Sequence, residues 1–455
     1  MATLKYTMGL KKKKKFKYDQ FTTLQPLVLR PEVEDLTRSL YELACCGSRH
    51  MWEEINSSDK LKEDSHTRER FFESAHKGMW KAQQLMVGLI RSNQGLTPSH
   101  DVLFRGIADS IAWQFIGKQL CYARRLYKGH SQPDLKHSNF DSVVLAAEHF
   151  NNNNPGGMAL ISDLTSFIQV GDLLLMGPTG NMTIAEVKEG KKNHDILKFM
   201  DFYLQHGCER SFFYFAQQEG PDSVKQLGRM LRQAERMGHV KEVINRGVSV
   251  DPDTNSKVII PENYVYLDSW DDDLNYVIAE SERKGWAISV IDECLFLGCY
   301  SEESMRKVGH MVFNSWFDNC GGTHSCPRSR LVDCMLDPLA VPIFILNIPS
   351  ESKFDILFGR KQVCMAINVE SLLDQCTKSG LQVRYATNKE ASRLDNKDAH
   401  PYRHNGKAIF IGNGKSEIVI ADGIFLRIMF HGQRPIHLIK SILDNIQSEP
   451  SSNAN

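Results

Sequence analysis

Asp172, Glu186 and Lys188 are the residues whose types and spacing suit chemistry. Glu186 and Lys188 stand two apart in the run Met182 to Lys188, where strand geometry places Ile184, Glu186 and Lys188 on one face. Gly177, Pro178, Thr179, Gly180 and Asn181 form a hairpin-like connection. A symmetric ladder about Thr179 sets Met176 against Met182, Leu174 against Ile184 and Asp172 opposite Glu186. Carboxylates opposed at the roughly 5 Å of cross-strand neighbours repel one another. A divalent cation relieves that repulsion, and hard oxygens with room for water and a phosphate suit magnesium, or manganese, better than zinc. Lys188 on the same face would neutralise developing charge or orient an attacking water. The expected chemistry is hydrolysis of a phosphodiester bond. A solvated hairpin with a weak ion pair is the plain alternative, and it does not explain the apolar residues around each charge.

Elements on either side must position these residues. Apolar spacing predicts helices across residues 31–95, one long helix from Val102 to Tyr127, and a short one from Asp141 to Phe150. A polar loop around Lys128 to Asn139 separates the last two. After Asn151 to Asn154 and Pro155-Gly156-Gly157 the period changes. Met158 to Leu164, Asp172 to Met176 and Met182 to Lys188 then read as three strands. Ile196, Met200 and Tyr203 mark a helix ending near Gly207, Ser211 to Ala216 is an aromatic-rich strand, and Ser223 to Met237 is a helix with Lys225, Arg229, Arg232 and Arg236 on a polar side. Asp251-Pro252-Asp253 marks a boundary. Beyond it Val341 to Leu346 and Ala408 to Ile411 look like strands and Val369 to Gln375 like a helix, so an α+β region is expected. The expected division is 1–100 (basic arm and helical region), 101–245 (domain of the site) and 258–455.

The segment VGDLLLMGPTGNMTIAEVKEGKK resembles the PD-(D/E)xK nuclease superfamily, in which a helix, three antiparallel strands, a helix and a further strand carry an Asp on the second strand and E-x-K on the third. The resemblance covers roughly residues 101–240. It implies an α/β fold with a restriction-endonuclease-like core, a mixed sheet flanked by helices. It also implies that Asp172 and Glu186 bind metal while Lys188 assists the water. Gly171 stands where the motif's name has proline, which costs the resemblance little because the proline has no role in the chemistry. Such families often add an acid from the first helix. Glu148 is preferred here, with Asp109 and Asp163 as alternatives, and Gln205 is a further candidate on the following helix. Lys191, Lys192 and Lys198 would contact nucleic acid.

The totals narrow the setting. Lys plus Arg equals Asp plus Glu at 55 each, so any nucleic-acid surface must be local. The run Lys11 to Lys15 with Lys17 is a basic arm or a localisation signal, or merely solvated. An odd number of scattered cysteines and an N-terminus without an apolar signal core fit a reducing cytoplasm, and no apolar run reaches bilayer length. Cys320, His324, Cys326 and Cys334 are candidate ligands for a structural zinc, although their spacing lacks the paired C-x-x-C pattern. Neither a phosphate loop of the G-x-x-x-x-G-K-[ST] type nor a G-x-S-x-G elbow occurs. The expectation is a magnesium-dependent endonuclease or exonuclease, acting on DNA before RNA, in defence against foreign DNA or in DNA processing. Its partner is nucleic acid and not membrane, with a homo-oligomer or a partner protein of a defence or repair system left open. The alternative is a catalytically silent nuclease-like fold that binds nucleic acid or serves assembly.

Overall fold

The computed structural model describes residues 29–51, 64–93, 95–138, 140–178, 180–250, 257–259, 268–396 and 401–447. The basic run Lys11 to Lys17, the boundary segment Asp251 to Asp253 and Thr179 lie outside them. Helices α1 (Glu34–Cys45) and α2 (Ser65–Ser92) begin the described chain, as the apolar spacing predicts. The expected single helix from Val102 to Tyr127 is two, α3 (Pro98–Phe115) and α4 (Leu120–Leu126). Gly117 and Lys118 both take positive φ, 58° and 57°, which reverses the chain and ends α3. Helix α5 (Phe140–Asn153) follows the polar loop.

The three expected strands are present and shorter than their apolar runs: β1 (Met158–Ile161), β2 (Leu173–Met176) and β3 (Met182–Ala185), in spatial order β1-β2-β3 and antiparallel. A 3-10 turn, Ser162–Leu164, takes the end of the first run. Helices α6 (Lys191–His206) and α7 (Glu209–Arg246) come next. The expected strand Ser211 to Ala216 is the start of α7. Its aromatic residues pack with helical spacing: Phe215 stacks on Phe199 at 4.1 Å between ring centres, and Phe212 meets Tyr203 at 6.0 Å. Helix α7 kinks at Gly220, whose φ is 76°, just before Pro221.

Both edges of the small sheet are closed by side-chain amides. On β1, Gln83 donates to Ala159 O at 3.1 Å and accepts from Ile161 N–H at 2.8 Å, while Asn151 accepts from Ala159 N–H at 2.8 Å. On β3, Asn245 accepts from Met182 N–H at 3.1 Å and donates to Met182 O at 2.7 Å. These bonds occupy edge groups that a fourth strand would need. Among the described residues every paired strand is antiparallel, in place of the expected mixed sheet.

A short hairpin pairs β4 (Val248–Val250) with β5 (Lys257–Ile259). Beyond it, β6 (Trp286–Ile291), β7 (Leu295–Tyr300), β8 (Arg328–Arg330) and β9 (Gln362–Ile367) form a four-stranded sheet in the order β6-β7-β9-β8. A last sheet holds β10 (Gln382–Tyr385), β11 (Arg403–His404), β12 (Lys407–Gly412) and β13 (Glu417–Val419). Ala408 to Ile411 lies in β12 and Val369 to Gln375 in the helix Val369–Lys378, as expected. Val341 to Leu346 is not a strand; Pro342, which has no N–H to give a ladder, precedes a 3-10 turn, Ile343–Ile345. Buried apolar residues drawn from Leu29 to Leu443 form one continuous core, and Ile196, Met200, Phe215, Leu227 and Met230 of α6 and α7 form a second, smaller one. Ion pairs tie the ends of the first, with Arg38 on Glu351 at 2.8 Å and Arg360 on Glu34 at 3.0 Å. No described helix is long and apolar enough to cross a membrane.

Candidate active site

The register of β2 on β3 is the one symmetric pairing predicts: Met176 with Met182, Leu174 with Ile184, and finally Leu173 with Ala185. One residue further on, the chain leaves that ladder. Asp172 N–H donates to Ala185 O at 2.8 Å, and Asp172 Oδ2 accepts from Val187 N–H at 2.6 Å. Asp172 and Glu186 are therefore not a ladder pair as expected. Asp172 reaches beyond the strand end and holds the backbone that follows Glu186. Both residues line one cavity of about 230 Å³.

Gly171 makes this departure possible. Its φ is 77°, and a Cβ there would lie 2.3 Å from Ile184 Cγ2 and 2.9 Å from Ala185 O. Proline, held near a φ of about −65°, cannot take this position. Here the glycine lets Asp172 turn toward Val187.

Glu186 and Lys188 meet at 2.7 Å between Oε1 and Nζ, and their side chains are 16% and 15% exposed. Gln233 completes a triangle with them. Its Nε2 donates to Glu186 Oε1 at 3.1 Å, and its Oε1 accepts from Lys188 Nζ at 3.2 Å. The two bonds of Asn245 to β3 anchor α7 on that strand, which sets Gln233, about three turns earlier, over the site. Sequence reasoning missed Gln233 because it read this helix for its cations. Its signal was a polar residue close to the apolar stripe of Leu227 and Met230, both buried.

Burial pushes the Asp172 carboxyl up to about 6; the Val187 N–H works against it, and the negative charges of Glu186 and Asp163 add to it. Asp163 lines the same cavity and is the acid that the fold brings closest to the role given to Glu148. Glu148 sits half-buried on α5, outside the cavity lining. Asp109 has a positioning role. Buried on α3, it accepts from Ser166 N–H at 2.7 Å and Ser166 Oγ at 2.6 Å, and burial pushes its carboxyl up to about 7. Arg105, one turn before it, donates to Thr165 O at 2.9 Å and Asp163 O at 3.4 Å. Together they hold the turn that carries Asp163. Gln205, Lys191, Lys192 and Lys198 are exposed on α6 and do not line the cavity.

Among the described residues, no group of three or more His, Cys, Asp or Glu converges as a metal-binding set. The zinc expectation for Cys320, His324, Cys326 and Cys334 is thereby corrected; Cys326 and Cys334 are buried and Cys320 is exposed. A magnesium ion needs less, because one or two carboxylates with water and substrate oxygens commonly hold it. Asp172 and Glu186 fit that requirement. Asp172 Oδ1 and Glu186 Oε2 have no hydrogen-bond partner among the described residues, while the second oxygen of each carboxylate is held in place. Comparison with protein-family models, curated proteins and solved structures found no match to this chain.

Proposed function

We propose that this protein is a metal-dependent nuclease that hydrolyses phosphodiester bonds, of DNA before RNA, in defence against foreign DNA or in DNA processing. The reading keeps the resemblance to the PD-(D/E)xK superfamily and rests on one observation. Two carboxylates, each with an oxygen directed to no protein donor, share a cavity with a third acid, and a lysine is bonded to one of them. Glu186 is paired with Lys188, but holding the half-buried Asp172 carboxyl beside it costs stability that a purely structural hairpin would avoid.

In this reading Asp172 and Glu186 hold magnesium or manganese, which when bound neutralises charge on the phosphate and lowers the pKa of a water. Asp172 takes its orientation from Val187 N–H. Gln233 holds Glu186 and Lys188 together, so that Lys188 Nζ stays at the edge of the site, where it orients the attacking water and offsets charge developing on the phosphate. The cavity walls limit bulk water around these groups.

Purified protein incubated with plasmid, linear DNA, single-stranded DNA and RNA, in magnesium or EDTA, tests the reading. Cleavage should require magnesium and vanish in Glu186→Ala and Lys188→Ala. Cleavage that survives both substitutions would sink the site assignment. The helix at Ser211 to Ala216, where the resemblance calls for a strand, favours the second reading, a silent nucleic-acid-binding or assembly module. Binding of nucleic acid without cleavage of any substrate would select it.

A further inference from the structure

The four-stranded sheet is covered unequally. Helix α8 (Asp271–Lys284) lies on one face, where Ser281 Oγ donates to Cys299 Sγ at 3.1 Å. Helix α9 (Glu303–Asn319) lies on the other. There Phe313 comes within 2.8 Å of where a Cβ on Gly298 would be, and Trp316 and Phe317 each meet Phe296 at 5.0 Å between ring centres. Gly298 and Phe296 are the ladder partners of Ile288 and Val290 in β6. Cross-strand partners point to the same face, so Trp286, Ile288 and Val290 lie on the α9 side. The helix leaves them uncovered, at 43%, 38% and 43% exposed, while Ala287 and Ile291 on the α8 side are buried. Asn314 and Asp318 of α9 reach Arg328 in β8, which turns the opposite flank, with exposed Val308 and Val312, toward β6.

This apolar shelf borders an open edge. Among the described residues β6 pairs with β7 alone, so the outer side of its backbone has no ladder. Edge strands are ordinarily guarded by a charge, a proline or a cover, and the run Trp286–Ile291 contains neither charge nor proline. The small sheet, by contrast, has its edges closed by Gln83, Asn151 and Asn245. Charge at the two ends of β6 points to a second copy of this chain. Arg283 and Lys284 precede the strand, and Asp292 and Glu293 follow it. Antiparallel pairing about a two-fold axis through Ile288 sets Trp286 of one copy against Val290 of the other, and carries Lys284 and Arg283 of each toward Asp292 and Glu293 of the other. An axis through Ser289 would instead set Trp286 against Asp292. Within the chain these charges share partners: Arg283 and Lys284 both bond Glu280, Asp292 shares Arg434 with Asp273, and Glu293 bonds Lys378. Exposed pairs of this kind contribute little in water and leave their members able to take a further contact. We propose that β6 pairs with the β6 of a second copy, antiparallel and centred on Ile288, joining two four-stranded sheets into one continuous sheet in a homodimer.

The test uses the full chain. Sedimentation velocity from about 0.1 to about 50 µM should show a monomer–dimer equilibrium. Ile288→Lys sets two lysines against each other at the axis and should weaken the dimer at least about a hundredfold. Arg283→Glu should weaken it about five- to tenfold through like charges, and adding Glu293→Arg should restore it. Arg283 and Glu293 are both exposed, so this pair of variants stays readable should Ile288→Lys unfold. Amide exchange across residues 286–291 should slow as concentration drives dimer formation. A chain that stays monomeric at about 50 µM, a dimer indifferent to Ile288→Lys, or a dimer with unchanged exchange in β6 would overturn the proposal. A dimer weakened by Arg283→Glu and not recovered by Glu293→Arg would overturn the register centred on Ile288.

Discussion

Beside the four-stranded sheet, Lys361 is 7% exposed and fully answered: Glu282 accepts from its Nζ at 2.6 Å and Asp355 at 2.7 Å. Burial pulls Lys361 down, but its bonds to the two carboxylates outweigh that and leave it above its ordinary value. Arg328 in β8 is likewise enclosed by Asp318, Asn314 and Thr323 O, and stacks over Phe317. At the β2–β3 hairpin the balance is different. Two acids and a third nearby share a cavity, the lysine there bonds Glu186 alone among them, and Asp172 is pushed up to about 6. In one region two acids answer one buried cation; in the other one lysine answers Glu186, and Asp172 is held by a backbone N–H. On the proposed function, the contrast is between charge that serves the fold and charge that serves a ligand.

Substitutions at the two regions should therefore fail in different ways. Glu186→Gln should lower phosphodiester cleavage by about a thousandfold while shifting unfolding stability by less than about 1 kcal/mol. Lys361→Met should do the reverse, costing about 2 kcal/mol or more in denaturant unfolding by leaving its acids underpaired, with cleavage by the folded fraction unchanged. Matching stability losses at both positions would erase the comparison.

Restoring the motif's proline sharpens it further. Gly171→Pro forces a backbone out of a φ of 77° and a ring into Ile184, so a loss of about 3 kcal/mol is expected together with loss of activity. A fully active, stable variant would mean that Asp172 does not depend on this turn.

The Asp172 carboxyl provides a pH test. With its folded pKa raised to about 6, the stability it contributes is present below its ordinary pKa and lost as pH rises through about 6. Magnesium must displace that proton, so apparent magnesium affinity should climb with pH up to about 6 and flatten above it. Calorimetric titration across this range should show the dependence in wild type and its loss in Asp172→Asn. An affinity independent of pH in the wild type would place the metal elsewhere.

A second pH test is at Asp109, whose carboxyl is pushed up to about 7 by burial and which touches no proposed metal ligand. Its folded form favours the proton, so wild-type stability falls as pH rises from its ordinary value through about 7. Asp109→Asn keeps the shape and omits the charge. Relative to wild type it should gain stability steadily between about pH 5 and pH 7 in urea unfolding and level off above, with activity retained if the Asp163 turn is undisturbed.

Much of the local order was legible because it depends on near neighbours. The β2–β3 register follows from a short turn and a period of two, and the helices flanking the hairpin follow from apolar spacing. What misled was propensity without context. The aromatic run Ser211 to Ala216 suits a strand by composition, but Phe199 and Tyr203 on α6 give its rings a helical partner face. The apolar stripe from Val102 to Tyr127 hid a chain reversal because Gly117 and Lys118 change the backbone without changing the pattern.

By itself, then, the sequence determined the hairpin and the register of β2 on β3, since both are within reach of local geometry; the turn at Gly171 carried Asp172 past that ladder to Val187 N–H. Only the tertiary structure decided the company of Asp172, Glu186 and Lys188. Gln233 arrives from 45 residues beyond Lys188, Asp163 is aimed by Arg105 and Asp109 from α3, and the loop of Lys128 and His130, which lines the same cavity, is tied down by Gln169. Such contacts are made between side chains far apart in the chain, and no periodicity records them; they exist only once burial of a shared core has brought the elements together.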